Sequence, residues 1–146
     1  GNDGGVIDAT GNGTVQAASL SNGSAGSITS GQALQASVAG LLDNGGGVLS
    51  AQSVAVQAAA FANAAGVVSG NALSFTVPRF DNSGGRITAN ALTLAVANLT
   101  NAHGLLTQLG TDTTRFDVSG MLDNSNGGLI QTNATDLTLA PASLDN

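Results

Sequence analysis

Phe80-Asp81-Asn82-Ser83-Gly84-Gly85-Arg86-Ile87, followed by Leu92-Thr93-Leu94, decides the fold, because the same pattern recurs along the whole chain. The tripeptide Leu/Phe-x-Asn ends at Asn22, Asn44, Asn63, Asn82, Asn101, Asn124 and Asn146, with spacings of 22, 19, 19, 19, 23 and 22 residues. Asn2, 20 residues before Asn22, fits as an earlier mark of the same series. Three or four residues after each of Asn2 to Asn124 stands a glycine: Gly5, Gly26, Gly47, Gly66, Gly85, Gly104 and Gly128. Two positions beyond each glycine comes a branched aliphatic residue, from Ile7 and Ile28 through Ile87 to Ile130. The second half of each unit alternates apolar and polar residues, most clearly at Leu92, Leu94 and Val96 and at Leu73, Phe75 and Val77. Period-two alternation is the mark of a strand with one buried face.

A unit of 19–23 residues built from short strands and turns cannot bury its own apolar face. Stacking the units buries a column of Leu, Ile and Val, and pairs each strand in parallel with its neighbour. The expected fold is therefore all-β, a parallel β-helix of about seven rungs some 4.8 Å apart, roughly 34 Å long. Asn side chains carry both donors and an acceptor, so a column of Asn2, Asn22, Asn44, Asn63, Asn82, Asn101 and Asn124 at strand spacing is expected to form a hydrogen-bonded ladder. The turn glycines are expected to supply a positive φ. Length variation belongs in outward loops, the longest at Thr111 to Thr114, with smaller insertions near Ser125 and Thr132 to Thr135. A leucine-rich repeat shares the period and the Asn ladder. Here, however, Gly-x-Ile follows the Asn and opens a second strand, which favours the β-helix. Ala51 to Ala65 has helical composition, but its register with the other units assigns it to strand.

Composition agrees with a thin, tightly packed rod. Among 146 residues, charged types are 8% and aromatics 3%, while apolar types reach 42%. The nine acids are all Asp and the three bases are Arg79, Arg86 and Arg115. Without Glu or Lys, exposed helix is disfavoured. A net charge of −6 with no basic run argues against nucleic acid and anionic membrane as partners. With no Cys and one His, thiolate catalysis, disulfides and a structural metal site are not expected. The most apolar stretch, Val54 to Val68, is broken by Gln57 and Asn63 and falls short of a membrane span, and no signal peptide pattern is present.

Chemistry-bearing residues are sparse, so no catalytic residue and no cofactor are expected. His103 lies in a turn with no nucleophile at a diagnostic spacing and reads as solvated. Asp43, Asp81, Asp123 and Asp145 all follow an anchor Leu or Phe and share one edge of the stack, but Ser, Ala and Thr occupy the intervening rungs. They read as turn residues and not as the carboxylate pair of a polysaccharide-cleaving β-helix. Asn-x-Ser/Thr occurs at Asn12, Asn22, Asn98 and Asn133. Arg79 and Arg86 flank one turn and are the candidate ligand surface, where an anionic sugar could be held.

The units ending in Leu-Asp-Asn-x-Gly-Gly-x-Ile and continuing to Leu-Thr-Leu resemble the filamentous haemagglutinin repeat. The likeness is clearest from Phe80 to Leu94 and from Leu122 to Leu139, and it extends over essentially the whole chain. Leu20-Ser21-Asn22 and Phe61-Ala62-Asn63 depart by lacking the Asp, and Ala25-Gly26 and Ala65-Gly66 by lacking the first glycine of the pair. The resemblance implies a right-handed β-helical shaft in a long exoprotein of a Gram-negative bacterium, exported by two-partner secretion through an outer-membrane transporter. Such proteins include virulence-associated adhesins and contact-dependent growth inhibition effectors. The implied role is structural and adhesive, at the cell surface or secreted, with host-cell glycans or receptors as partners and no enzymatic activity. The stalk of a toxin-delivering effector is the alternative. Residues 1–146 read as one segment of a longer shaft, its rungs packed against neighbouring rungs of the parent chain.

Overall fold

The computed structural model describes every residue from Gly1 to Asn146, and it contains no helix. Each rung starts at an Asn of the series. The first holds β1 (Val6–Ala9), β2 (Gly13–Ala17) and β3 (Leu20–Ser21), the second β4 (Ser27–Ser30) and β5 (Ala33–Asp43), and the third β6 (Val48–Ser50) and β7 (Ser53–Ala62). The fourth is one strand, β8 (Val67–Asp81), and the fifth is β9 (Arg86–Thr100). The sixth divides into β10 (Leu105–Gln108), β11 (Thr114–Val118) and β12 (Met121–Asp123), and the seventh into β13 (Leu129–Thr132), β14 (Leu137–Thr138) and β15 (Ser143–Asp145). All pairings are parallel and join successive rungs, so the chain is a β-solenoid of about seven turns. The strands are longer than the short pieces expected, because in β8 and β9 the ladder runs through the corners for 15 residues.

Register fixes the inward residues of three faces. On the first face Ile28, Leu49, Val68, Ile87 and Leu106 stack. On the second, Leu34, Val54, Leu73 and Leu92 stack beside Ala36, Val56, Phe75, Leu94 and Phe116. On the third, Leu42, Phe61, Phe80, Leu99 and Leu122 stack. These residues form one core cluster. Phe61, Phe75 and Phe80 meet with ring centroids 4.9–5.2 Å apart in a core otherwise built from aliphatic side chains and Phe116.

The corner between the third and first faces is a stack of turns. In the third to sixth rungs the glycine N–H donates to the Asn carbonyl three residues earlier at 2.9 Å. The residue before the glycine has positive φ: 68° at Gly46, 54° at Ala65, 63° at Gly84 and 56° at His103, which marks a type II turn. In the second and seventh rungs one extra residue produces two consecutive positive-φ positions, Ser24 and Ala25, then Asn126 and Gly127.

The positive φ expected at the series glycines therefore falls one residue earlier. Gly26, Gly47, Gly66, Gly85, Gly104 and Gly128 serve close approach instead, since a Cβ at Gly85 would lie 2.1 Å from the Asn63 carbonyl oxygen of the preceding rung. At Gly5 the nearest obstacle is the Asn of its own turn, since a Cβ there would meet Asn2 Oδ1 at 2.5 Å.

Inside each turn lies an Asn side chain. Each Nδ2 donates to the Oδ1 of the next rung, from Asn2 through Asn22, Asn44, Asn63, Asn82, Asn101 and Asn124 to Asn146, in seven bonds of 2.7–2.8 Å. The second N–H of the amide reaches the carbonyl of the turn glycine, as in Asn82 to Gly85 at 3.3 Å, except at Asn22, which donates to the Val48 carbonyl at 3.0 Å. Asn22 to Asn101 are wholly buried, and their polar groups are satisfied by this column.

The sixth-rung insertion lies between β10 and β11, one residue earlier than expected, because Thr114 belongs to the strand. Thr114 takes the inward place that Leu92 holds in the rung before and shares a 2.6 Å hydrogen bond with Thr132. Buried Gln108 closes the loop. Its Oε1 accepts from Leu92 N at 3.2 Å, and its Nε2 donates to the carbonyls of Gly110 and Asp112. The side-chain amide thus substitutes for a backbone acceptor that the insertion carries out of the ladder.

Candidate functional site

The outward residues of the third face form two columns along the axis. The first is Leu41, Ala60, Arg79 and Asn98 by direct register, continued by Met121, whose N–H donates to Asn98 Oδ1 at 3.0 Å. The second is Asp43, Ala62, Asp81, Thr100 and Asp123. Ala60 and Ala62 leave the surface low in the third rung. Together with the flanking side chains they produce a concavity of about 500 Å³ reaching from Leu41 to Met121 across the strands that carry Phe61 and Phe80.

Two one-residue insertions shape its rims. The corners after Val38 and Val118 each hold one more residue than the regular rungs and contain Gly40 and Gly120 respectively, with a register shift between Val38 and Leu41. Leu41 and Met121 follow these corners in the outward position that Ala60, Arg79 and Asn98 hold in the regular rungs, and they are 45% and 44% exposed. Of the eight large apolar side chains exposed on the molecule, five belong to the first and seventh rungs and Leu109 to the insertion loop; the other two are Leu41 and Met121. An exposed pair facing one depression is more informative than scattered apolar residues.

Arg79 stands midway between the rims. No ion pair closer than 4.0 Å forms in the chain, so its guanidinium keeps its donors free. Arg86 is also exposed, but it begins the first face, in register with Val67 and Leu105. The Asn82 turn separates the two arginines onto different faces, and only Arg79 lines the concavity.

The carboxylates of the second column hold turns. Asp43 Oδ1 accepts from Gly45 N at 2.8 Å. Asp81 Oδ1 accepts from the N–H and hydroxyl of Ser83, and Asp123 Oδ1 does the same with Ser125. The Ser125 hydroxyl, then its N–H, hold the Asp123 carboxyl below its ordinary value, against a smaller opposing effect of burial. His103 is exposed at a positive-φ turn position. Among the Asn-x-Ser/Thr sites, Asn22 is enclosed in the ladder, while Asn12, Asn98 and Asn133 are exposed. Sequence reading singled out Arg79 but missed Leu41 and Met121. Their signal was the extra glycine before each, within the 22- and 23-residue units.

The haemagglutinin repeat family matches residues 8–76 and again 68–145. The chain belongs to the haemagglutinin repeat family. The two matches meet in β8, so each haemagglutinin repeat segment spans three to four rungs of the solenoid. The family is a structural and adhesin repeat and not an enzyme family, and proteins carrying it are typically secreted or surface exoproteins. No curated protein and no solved structure matches the chain.

Proposed function

We propose that this haemagglutinin repeat chain is a structural and adhesive segment of a long, secreted bacterial surface shaft, exported by two-partner secretion with an outer-membrane transporter as partner. The observation that carries the reading is the continuity of core and Asn ladder through every rung, while outward residues vary from rung to rung. An inner framework repeated from rung to rung, with a free outer surface, suits a rod that holds binding groups away from a cell. Host-cell glycans or receptors are the partners it would engage, and the exposed arginines are the first contacts to test.

The experiment is saturable binding of the folded chain to epithelial cells and to a glycan array, with Arg79→Ala and Arg86→Ala variants alongside. Specific binding that weakens in either variant supports an adhesive surface. A folded chain that binds neither overturns the adhesive part and leaves a mechanical shaft.

A further inference from the structure

We propose that the third-face concavity between Leu41 and Met121 is a docking site for a partner peptide in polyproline II conformation. The peptide carries an acidic residue three positions after one apolar residue and three before another. The inference uses the outer surface invoked above and adds to that reading a partner chemistry of its own.

The argument starts from spacing. Leu41 lies in the second rung, Arg79 in the fourth and Met121 in the sixth, in one outward column. Two rungs are about 9.6 Å, so the column presents apolar, cationic and apolar groups at that interval. A polyproline II helix has three residues per turn and rises about 3.1 Å each, so residues i, i+3 and i+6 return to one face every 9.3 Å or so. The mismatch is about 0.3 Å per step. An extended strand repeats one face at about 6.7 or 13 Å, and an α-helix at about 10.5 Å over seven residues, so both lose register sooner.

Charge points the same way. Arg79 has no carboxylate partner within 4.0 Å in the chain, and it stands between Ala60 and Asn98 along the concavity. One acidic side chain at i+3 would meet the guanidinium in a charge-assisted pair, while apolar side chains at i and i+6 cover Leu41 and Met121. The neighbouring column repeats with the same two-rung period. Asp43, Asp81 and Asp123 each use Oδ1 to hold a turn, and each leaves Oδ2 without a hydrogen bond. Basic residues at i+1 and i+4 would face these carboxylates. The volume of about 500 Å³ accommodates a few side chains and not a folded domain.

The probe is a fluorescently labelled capped heptapeptide, Leu-Lys-Pro-Glu-Lys-Pro-Leu, titrated with the intact chain and followed by anisotropy. Saturable binding is expected, weakened at least tenfold by Gln in place of the peptide Glu and at least tenfold by Arg79→Ala. Combining the two changes should add little further loss. Leu41→Ser and Met121→Ser should each weaken binding several-fold. All three protein positions are exposed, so unchanged thermal melting checks that each variant is folded. Absence of saturable binding at millimolar chain, indifference to Arg79→Ala, or equal binding of a five-residue peptide with apolar, acidic and apolar residues at i, i+2 and i+4 would overturn the proposal. So would selective occupation of the site by glucuronate with no competition from the heptapeptide. Cell adhesion that persists when the peptide fails to bind would remove this inference and leave the adhesive reading standing. Peptide binding without cell adhesion would do the reverse.

Discussion

Replacing Asn82 by Ala tests the ladder at its centre. Asn82 Oδ1 accepts from Asn63 Nδ2, and its Nδ2 donates to Asn101 Oδ1, both at 2.8 Å, with longer contacts to the carbonyls of Gly85 and Leu105. The substitution leaves one N–H of Asn63 and the Oδ1 of Asn101 without partners in a wholly buried column. Each unsatisfied buried group costs about 1–3 kcal/mol, so the expected loss is about 4 kcal/mol. That is a large fraction of the roughly 5–15 kcal/mol that holds an ordinary domain together. Asn2→Ala breaks the same ladder where it is half-buried and should cost only about 1 kcal/mol. Urea unfolding with a common slope measures both. Asn82→Asp adds a pH test. Its carboxylate faces Asn101 Oδ1, and burial raises its folded pKa above the unfolded value of about 3.9. The variant should therefore be most stable at acid pH, where the protonated group can donate to Asn101, and lose stability as pH rises through the folded pKa. Asn82→Ala within 1 kcal/mol of the parent, or no more damaging than Asn2→Ala, would refute the reasoning.

Four further outcomes are expected. Gly85→Ala drives a Cβ against the Asn63 carbonyl at 2.1 Å and should unfold the central rungs. Ala65→Gly relieves a left-handed residue and should stabilise by about 0.5–1 kcal/mol after its entropic cost, both read from thermal melting. Gln108→Ala removes the acceptor of Leu92 N and the ties to Gly110 and Asp112. It should cost about 2 kcal/mol and open the 109–113 loop to limited proteolysis; an unchanged cleavage rate would contradict that role. Ser125→Ala removes the largest cause of the lowered Asp123 pKa, so the Asp123 titration followed by NMR should move up. Because the folded pKa is depressed, the stabilisation from this turn is present above the ordinary carboxylate range and fades as pH falls through the folded value.

The repeat period exposed the architecture because every rung obeys the same constraint, and a seven-fold pattern survives local exceptions such as Phe61-Ala62-Asn63. The division of labour inside the turn was hidden. Gly84 and Gly85 are identical letters with different duties, one of conformation and one of clearance, and only the position of the preceding rung separates them. Thr114 and Gln108 were hard to read as interior because polarity alone places such residues outside. Their burial depends on hydrogen bonds to Thr132, Leu92 and the loop, partners set by an insertion. The third-face site was legible in fragments. Arg79 stood out as one of three cations, whereas Leu41 and Met121 resembled ordinary strand residues until the register placed them in the same outward column as Arg79, two rungs to either side.

The backbone ladders and the Asn column all run along the axis, while the covalent chain runs around it. Tension applied to the two ends therefore meets hydrogen bonds lengthwise and in series, with no peptide bond bridging one rung to the next except at the corner. Such a rod resists bending, because every face is braced, yet under a steady pull it is expected to surrender one rung at a time. Each released rung of 19 residues lengthens the tether by about 60 Å, from about 4.8 Å when stacked. A surface filament made this way would yield in steps under flow, dissipating load before its attachment at either end has to bear it.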